Sequence, residues 1–341
     1  MRTEQRARSG AIDMVRVIGI VAVVAGHIST EGVIRPLLYS WHVPLFFVLV
    51  GYFWSAERTL RAETVSRLRS LVVPTLVWGT GIYLAYSAIN LLAGSFDGAV
   101  PVSAYMAYWF TPALLMAALV CRLLSPLPAW VSWAVASVGV GAAYVANDIV
   151  ASAPLYVGAA LPGLFFVMIG RAARRYRGRL RLRFVLPVFA TVVSLIALGV
   201  SAPVDMKNGD LGTPILSVLA AAVISLTLIV VSETYAPRLP RVVSTVATHL
   251  ALSGWAVILG HAAFILAFRH LGAPPAFVFL SALVLPWVIG LVALPTRASP
   301  AVNGSPKQVG LGSGSSTSPR SSTKRPVASN GASHATRPCE D

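Results

Sequence analysis

Charge is what this chain has least of. Charged residues make up 11% of its 341 residues, less than half of the roughly 25% carried by soluble domains. A soluble protein of this length would lack the side chains to cover its surface. Cysteine is also scarce: Cys121 lies in an apolar run and Cys339 near the C-terminus, which excludes a disulfide framework or a cysteine-based metal site. No internal repeat and no inserted soluble domain is visible, which weighs against carriers built from duplicated halves. What is abundant is hydrophobic sequence, at 56%. The class is an all-α polytopic membrane protein. The net charge of +15 does not point to nucleic acid, because the basic residues fall in short clusters between apolar runs, where topology signals belong.

A span needs roughly 20 apolar residues. Ten stretches qualify: 11–30, 36–54, 71–93, 104–124, 127–146, 152–170, 184–200, 213–232, 250–268 and 274–295. The first resembles a signal peptide in position, but no small-residue cleavage site follows it, so it is read as retained. If the N-terminus is cytoplasmic, 23 of the 27 basic residues fall on the cytoplasmic side, Arg16 lies within a span, and only Arg35, Lys207 and Arg269 fall outside. Ten spans with both termini cytoplasmic satisfy the positive-inside rule. The expected layout is a cytoplasmic N-terminus (1–10), a membrane domain (11–296), and a disordered cytoplasmic tail (297–341) rich in Ser, Pro, Gly and basic residues. The location is then the plasma membrane, with membrane lipids as neighbours.

Ionisable residues inside spans mark functional paths. Asp13 and Arg16 stand three apart near the cytoplasmic end of the first helix and can pair on one face. His27 lies eleven residues after Arg16, almost three whole turns, so both project from the same face about 16 Å apart along the axis. One face thus carries a fixed cation at one end and a titratable base at the other. His42 opens the next apolar stretch, at a similar depth to His27 if the two helices are antiparallel. Two histidines with no third ligand at suitable spacing argue against a metal and suit acid/base work. Arg67 and Arg69, before Pro74, are topology charges by default, yet lie on the same side as Arg16, where the three can hold phosphates. Tyr108 and Trp109 are either an aromatic belt or a sugar-stacking surface. His261, mid-span in LSGWAVILGHAAF, is either a polar tie between helices or part of the site.

These residues resemble the membrane-bound acyltransferase-3 family, and within it the fucose 4-O-acetylase-like, polysaccharide O-acetyltransferase branch. Asp13-x-x-Arg16 followed by ten residues and then His27 is similar to the first-helix signature. HVPLFFVLVGYF (42–53) resembles the second-helix element, with Val50 where Ser is usual. RLRSLVVP (67–74), YWFTPALL (108–115), LFFVMIGRAARR (164–175) and LSGWAVILGH (252–261) resemble later elements, Thr111 replacing a Leu and the last lacking the common Tyr before its histidine. The likeness covers most of 11–270. It implies transfer of an acyl group, usually acetyl, from cytoplasmic acyl-CoA to a hydroxyl of a glycan, glycolipid or glycosylated metabolite. Arg16, Arg67 and Arg69 would bind the CoA phosphates, and His27 would act as base, with His42 and Asp13 in support. Trp109, Tyr108 and His261 would face the acceptor. The expected donor is acetyl-CoA, with no metal. The rival from another class is a proton-coupled transporter or flippase of a polar lipid or sugar; a third reading is an inactive membrane scaffold.

Overall fold

A computed structural model describes residues 10–28, 32–92 and 100–306. Residues 1–9 of the expected N-terminal segment and 307–341 of the expected tail lie outside the described residues. Those described form helices α1 (Gly10–Ile28), α2 (Ile34–Tyr39), α3 (His42–Tyr52), α4 (Leu60–Arg67), α5 (Val73–Leu92), α6 (Phe110–Leu124), α7 (Ala129–Val145), α8 (Asn147–Ser152), α9 (Ala160–Tyr176), α10 (Leu182–Ala197), α11 (Leu216–Tyr235), α12 (Arg241–His270), α13 (Pro275–Ala293) and α14 (Ser299–Asn303). Among the described residues the only strand-like pairing is a single bridge between Asp205 and Asp210. The protein is an all-α polytopic membrane protein.

Each of the ten expected spans has a helical counterpart. Eight stretches are long and apolar enough to cross a membrane, while α7 and α10 are shorter apolar helices of 17 and 16 residues. At 1.5 Å per residue these two measure about 24–26 Å, short of a bilayer core of about 30 Å. The outer surface is aliphatic: Leu76, Leu84, Leu92, Val138 and Val292 are all more than half exposed. In water such a surface would drive aggregation; against lipid it costs nothing.

Without a hydrophobic force between helices in lipid, association rests on close packing of small residues. The crossing of α3 and α9 shows this reciprocally. A Cβ placed on Gly51 would lie 1.9 Å from the Val167 carbonyl oxygen, and one on Gly170 would lie 1.9 Å from the Val48 oxygen. The two backbones touch, and any side chain would separate them.

Two irregularities position the functional ends. The second apolar stretch is broken between α2 and α3. In a continuous helix Pro44 would lack an N–H for the Ser40 carbonyl and its ring would collide with it. Ser40 Oγ donates to the Pro36 oxygen (2.7 Å) at the break. His42 therefore begins a new helix. Between α4 and α5 the chain takes a π-helical turn over 68–72, because Pro74 has no N–H for the Ser70 carbonyl.

The first residues of the expected tail are described and ordered. Residues 299–306 fold onto the bundle: Trp78 Nε1 donates to Val302 O (3.1 Å), Asn303 Nδ2 to Gly290 O (2.8 Å), and Ser305 Oγ to Leu252 O (3.1 Å). Gly304, at φ +61°, sits against Ser70 O at the π turn. The expectation of disorder from residue 297 is corrected here. A low aliphatic content hid a strap held by hydrogen bonds to buried groups rather than by apolar burial.

Candidate functional site

The polar residues gather at two ends of the bundle, joined by α1. At one end, a cavity of about 190 Å³ is lined by His27, His42, His261, Tyr39, Trp109 and Phe46, with the turn 204–208 over it. That is smaller than the 300–1,000 Å³ of drug-sized pockets, so it admits one ring or one hydroxyl-bearing arm. The His27 ring stacks on His261, with centroids 5.2 Å apart and planes at 29°. Tyr39 Oη lies 3.3 Å from His27 Nδ1, and its ring meets His42 edge-on at 4.9 Å.

Backbone carbonyls fix two of the three tautomers. His42 Nδ1 lies 2.7 Å from Leu38 O, and His261 Nδ1 lies 2.9 Å from Val257 O. A carbonyl only accepts, so each Nδ1 carries the proton and each neutral ring keeps a bare Nε2. His261 Nε2 is buried with no protein partner. Among the described residues no three His, Cys, Asp or Glu side chains are arranged to hold a metal.

At the other end of α1, Arg16 pairs with Asp13 (3.5 Å), and its guanidinium lies 4.7 Å over the Phe53 ring. Asp13 is buried and accepts from Thr248 Oγ1 at 2.9 Å. It lies fourteen residues from His27, about 21 Å along the helix. The structure thus places Asp13 beside Arg16 and apart from the histidines with which the sequence grouped it.

Phe53 is one of three consecutive aromatics that each receive a cation. Arg174 lies 5.3 Å from the Tyr52 ring, and Trp54 takes Arg122 at 3.7 Å and Arg171 at 4.7 Å. Arg122 is buried, and its Nη2 donates to Ser55 O at 2.6 Å. Glu63, also buried, is shared by Arg67 (2.8 Å), Arg58 (3.4 Å) and Arg122 (3.8 Å). Tyr52 donates to Glu233. Cations on aromatic faces keep their charge while shielded from water, which strengthens their hold on an anion.

Sequence reasoning chose Arg16, Arg67 and Arg69 for this end. Arg16 joins the cluster, Arg67 is held by Glu63, and Arg69 is exposed on the π turn. Arg122, Arg171 and Arg174 were counted only as topology charges. The run Gly51-Tyr52-Phe53-Trp54 at the same end was the available signal. Of the aromatic pair, Trp109 lines the cavity but Tyr108 does not. Adjacent residues in a helical turn point about 100° apart, and Tyr108 packs edge-on with Tyr105 (5.3 Å) in a cluster around Ile82 and Ala104.

Between the ends the bundle is packed. Val23 and Phe46 line the cavity floor. One turn further toward Arg16, a Cβ on Gly19 would lie 2.8 Å from Leu45 Cδ2 and 3.2 Å from Phe46 Cζ. Ile20, on the same side, is buried.

Two comparisons return nothing: no curated protein and no solved structure matches the chain. The model of the acyltransferase-3 family, described as an acyltransferase domain, matches residues 9–295 and so takes in both ends and the helices between them. The chain belongs to the acyltransferase-3 family and is a multi-pass membrane acyltransferase.

Proposed function

We propose that the protein is an O-acetyltransferase of the plasma membrane, moving acetyl from cytoplasmic acetyl-CoA to a hydroxyl of a glycan, glycolipid or glycosylated metabolite. One observation carries this reading. A single face of α1 bears Arg16 within an arginine–aromatic cluster and, about 16 Å further along, His27 within a histidine cavity.

Arg16, Arg171 and Arg174 fit a polyphosphate, since guanidinium groups bind phosphate oxygens in pairs. The positive-inside rule puts that end in the cytoplasm, where acyl-CoA is made available. Arg67 and Arg69 extend the basic surface. Asp13 holds Arg16 in position and acts through it, rather than on the reacting atoms.

At the histidine end the acceptor hydroxyl enters the cavity, with Trp109 against the face of its ring. If His27 Nδ1–H is donated to Tyr39 Oη, His27 Nε2 is a free base. It takes the hydroxyl proton as the oxygen attacks the thioester carbonyl. The C–S bond breaks, the new ester C–O bond forms, and the proton passes from His27 to the departing thiolate. Acceptor and acetyl-CoA become acetyl ester and CoA thiol, with no redox step. His261 and His42 supply bare Nε2 atoms that accept hydrogen bonds from other acceptor hydroxyls. Reaching the base requires Phe46, and the packing around Gly19, to open between the ends.

The test is acetyl transfer by full-length protein in nanodiscs with radiolabelled acetyl-CoA and membranes of the native cell. His27→Ala should lower transfer by at least ~10²-fold, the low end for general acid–base catalysis. Undiminished transfer by that variant would sink the assignment of the base. Absence of transfer by the unaltered protein would favour the carrier reading.

A further inference from the structure

The positive-inside rule leaves the segments at the histidine end nearly bare of cations. Three basic residues are expected there, Arg35, Lys207 and Arg269. They come from α2, the turn 204–208 and the last turn of α12; Lys207 lines the cavity, and the other two lie against residues that line it. Lys207 Nζ lies 5.7 Å from the ring of Tyr156, which in turn meets Trp109. Arg269 donates from Nη2 to the His27 carbonyl oxygen at 3.2 Å. Arg35 lies 4.8 Å over the ring of Tyr39, the partner of His27.

A purely structural role accounts for part of this. Arg269 satisfies a terminal carbonyl of α1 and opposes the negative end of its dipole. That role needs one cation, not three, and uses one of five guanidinium donors. None of the three makes an ion pair among the described residues. Asp205 lines the same cavity, but its carboxylate is taken up within its own turn, accepting from Asn208 N and Nδ2, and Asp210 accepts from Gly212 N. The turn that carries Lys207 is itself fixed, since Val204, Met206 and Leu211 are buried. Lys207 is thus a cation held on a rigid turn over a small cavity that admits one ring.

Resting on the acetyltransferase reading, we propose that the acceptor carries an anionic group, phosphate or carboxylate, beside the hydroxyl that is acetylated. Lys207, with Arg269 and Arg35 at the rim, selects for it. The ring enters between Trp109 and the histidines, while the anion stays at the mouth. Electrostatic selection at a rim acts on binding of the acceptor and leaves the chemical step alone.

The test uses full-length protein in nanodiscs of zwitterionic lipid, radiolabelled acetyl-CoA, and membranes of the native cell as acceptor source. Labelled product is passed over an anion-exchange column at neutral pH. Retention is expected. If mild acid, which splits glycosyl phosphates, or a phosphatase releases a neutral labelled species, the anion is a phosphate; if the label stays anionic through both, it is a carboxylate. The double variant Lys207→Gln/Arg269→Gln should raise the acceptor KM tenfold or more with kcat within twofold, and Lys207→Arg should keep the KM of the unaltered protein. A neutral labelled product overturns the proposal, whether or not the variants fold. So does an anionic product whose KM ignores the loss of both charges in a variant with unchanged melting temperature. No label in any product refutes the acetyltransferase reading itself, and this inference with it.

Discussion

The imidazoles of His27 and His261 stack with centroids 5.2 Å apart, although 234 positions separate them in the chain. Their neighbours divide them. His27 Nδ1 faces a hydroxyl, while His261 Nδ1 is committed to a carbonyl and its Nε2 is left bare. Removing each should therefore have different effects. His261→Phe keeps a ring against His27 but removes the acceptor atom. It is expected to raise the acceptor KM by about tenfold, ~1.4 kcal/mol, with kcat reduced much less than in His27→Ala. Steady-state kinetics with varied acceptor checks this.

Asp13 and Arg16 make an ion pair in which only the arginine reaches the surface. Asp13→Asn keeps the hydrogen-bonding shape but removes the charge that orients Arg16. The donor KM should rise several-fold to tenfold, with kcat nearly unchanged. A kcat loss comparable to that of His27→Ala would instead place Asp13 in the chemistry.

Gly19 leaves room for Phe46 between the two ends. Gly19→Leu should fill that space and lower acetyl transfer by tenfold or more, while acetyl-CoA still binds at the arginine end. Binding is read by the rise in melting temperature on adding acetyl-CoA. A variant that transfers acetyl at the ordinary rate would exclude this route between the ends.

The strap 299–306 gives a prediction on stability alone. Truncation after residue 306, which keeps the strap, is the reference. Truncation after residue 296 leaves Trp78 Nε1 without its acceptor and removes a second donor from the Leu252 and Gly290 carbonyls, the latter keeping Leu294 N. A donor left unpaired costs about 1–3 kcal/mol, so thermal unfolding in detergent should begin at a lower temperature.

Much of this was legible in the sequence because lipid imposes a simple rule: long apolar runs must be helices. The ten runs, the Arg16–His27 face and the similar depth of His42 all follow from local spacing. What was hidden depends on contacts between distant segments. Arg122 and Arg171 look like topology charges until α3 is laid against α6 and α9, which puts Trp54 beneath them. Lys207 and Arg269 read as stray outer charges until the fold puts one in the cavity wall and the other on the His27 carbonyl. Tyr108 and Trp109 were read as a unit, but turn geometry sends only one to the cavity. The strap escaped notice because its hold is polar and directional, and composition carries no trace of hydrogen-bond partners.

The central claim is a division of labour along α1: Arg16 binds the donor and His27 performs the proton transfer. The most direct measurement is acetyl transfer with acetyl-CoA varied, on Arg16→Gln and His27→Gln side by side. The account predicts a split: Arg16→Gln raises the acetyl-CoA KM by tenfold or more with kcat largely retained, and His27→Gln lowers kcat by at least ~10²-fold with that KM little changed. Equal effects of both substitutions on kcat, or retained kcat in His27→Gln, would contradict it.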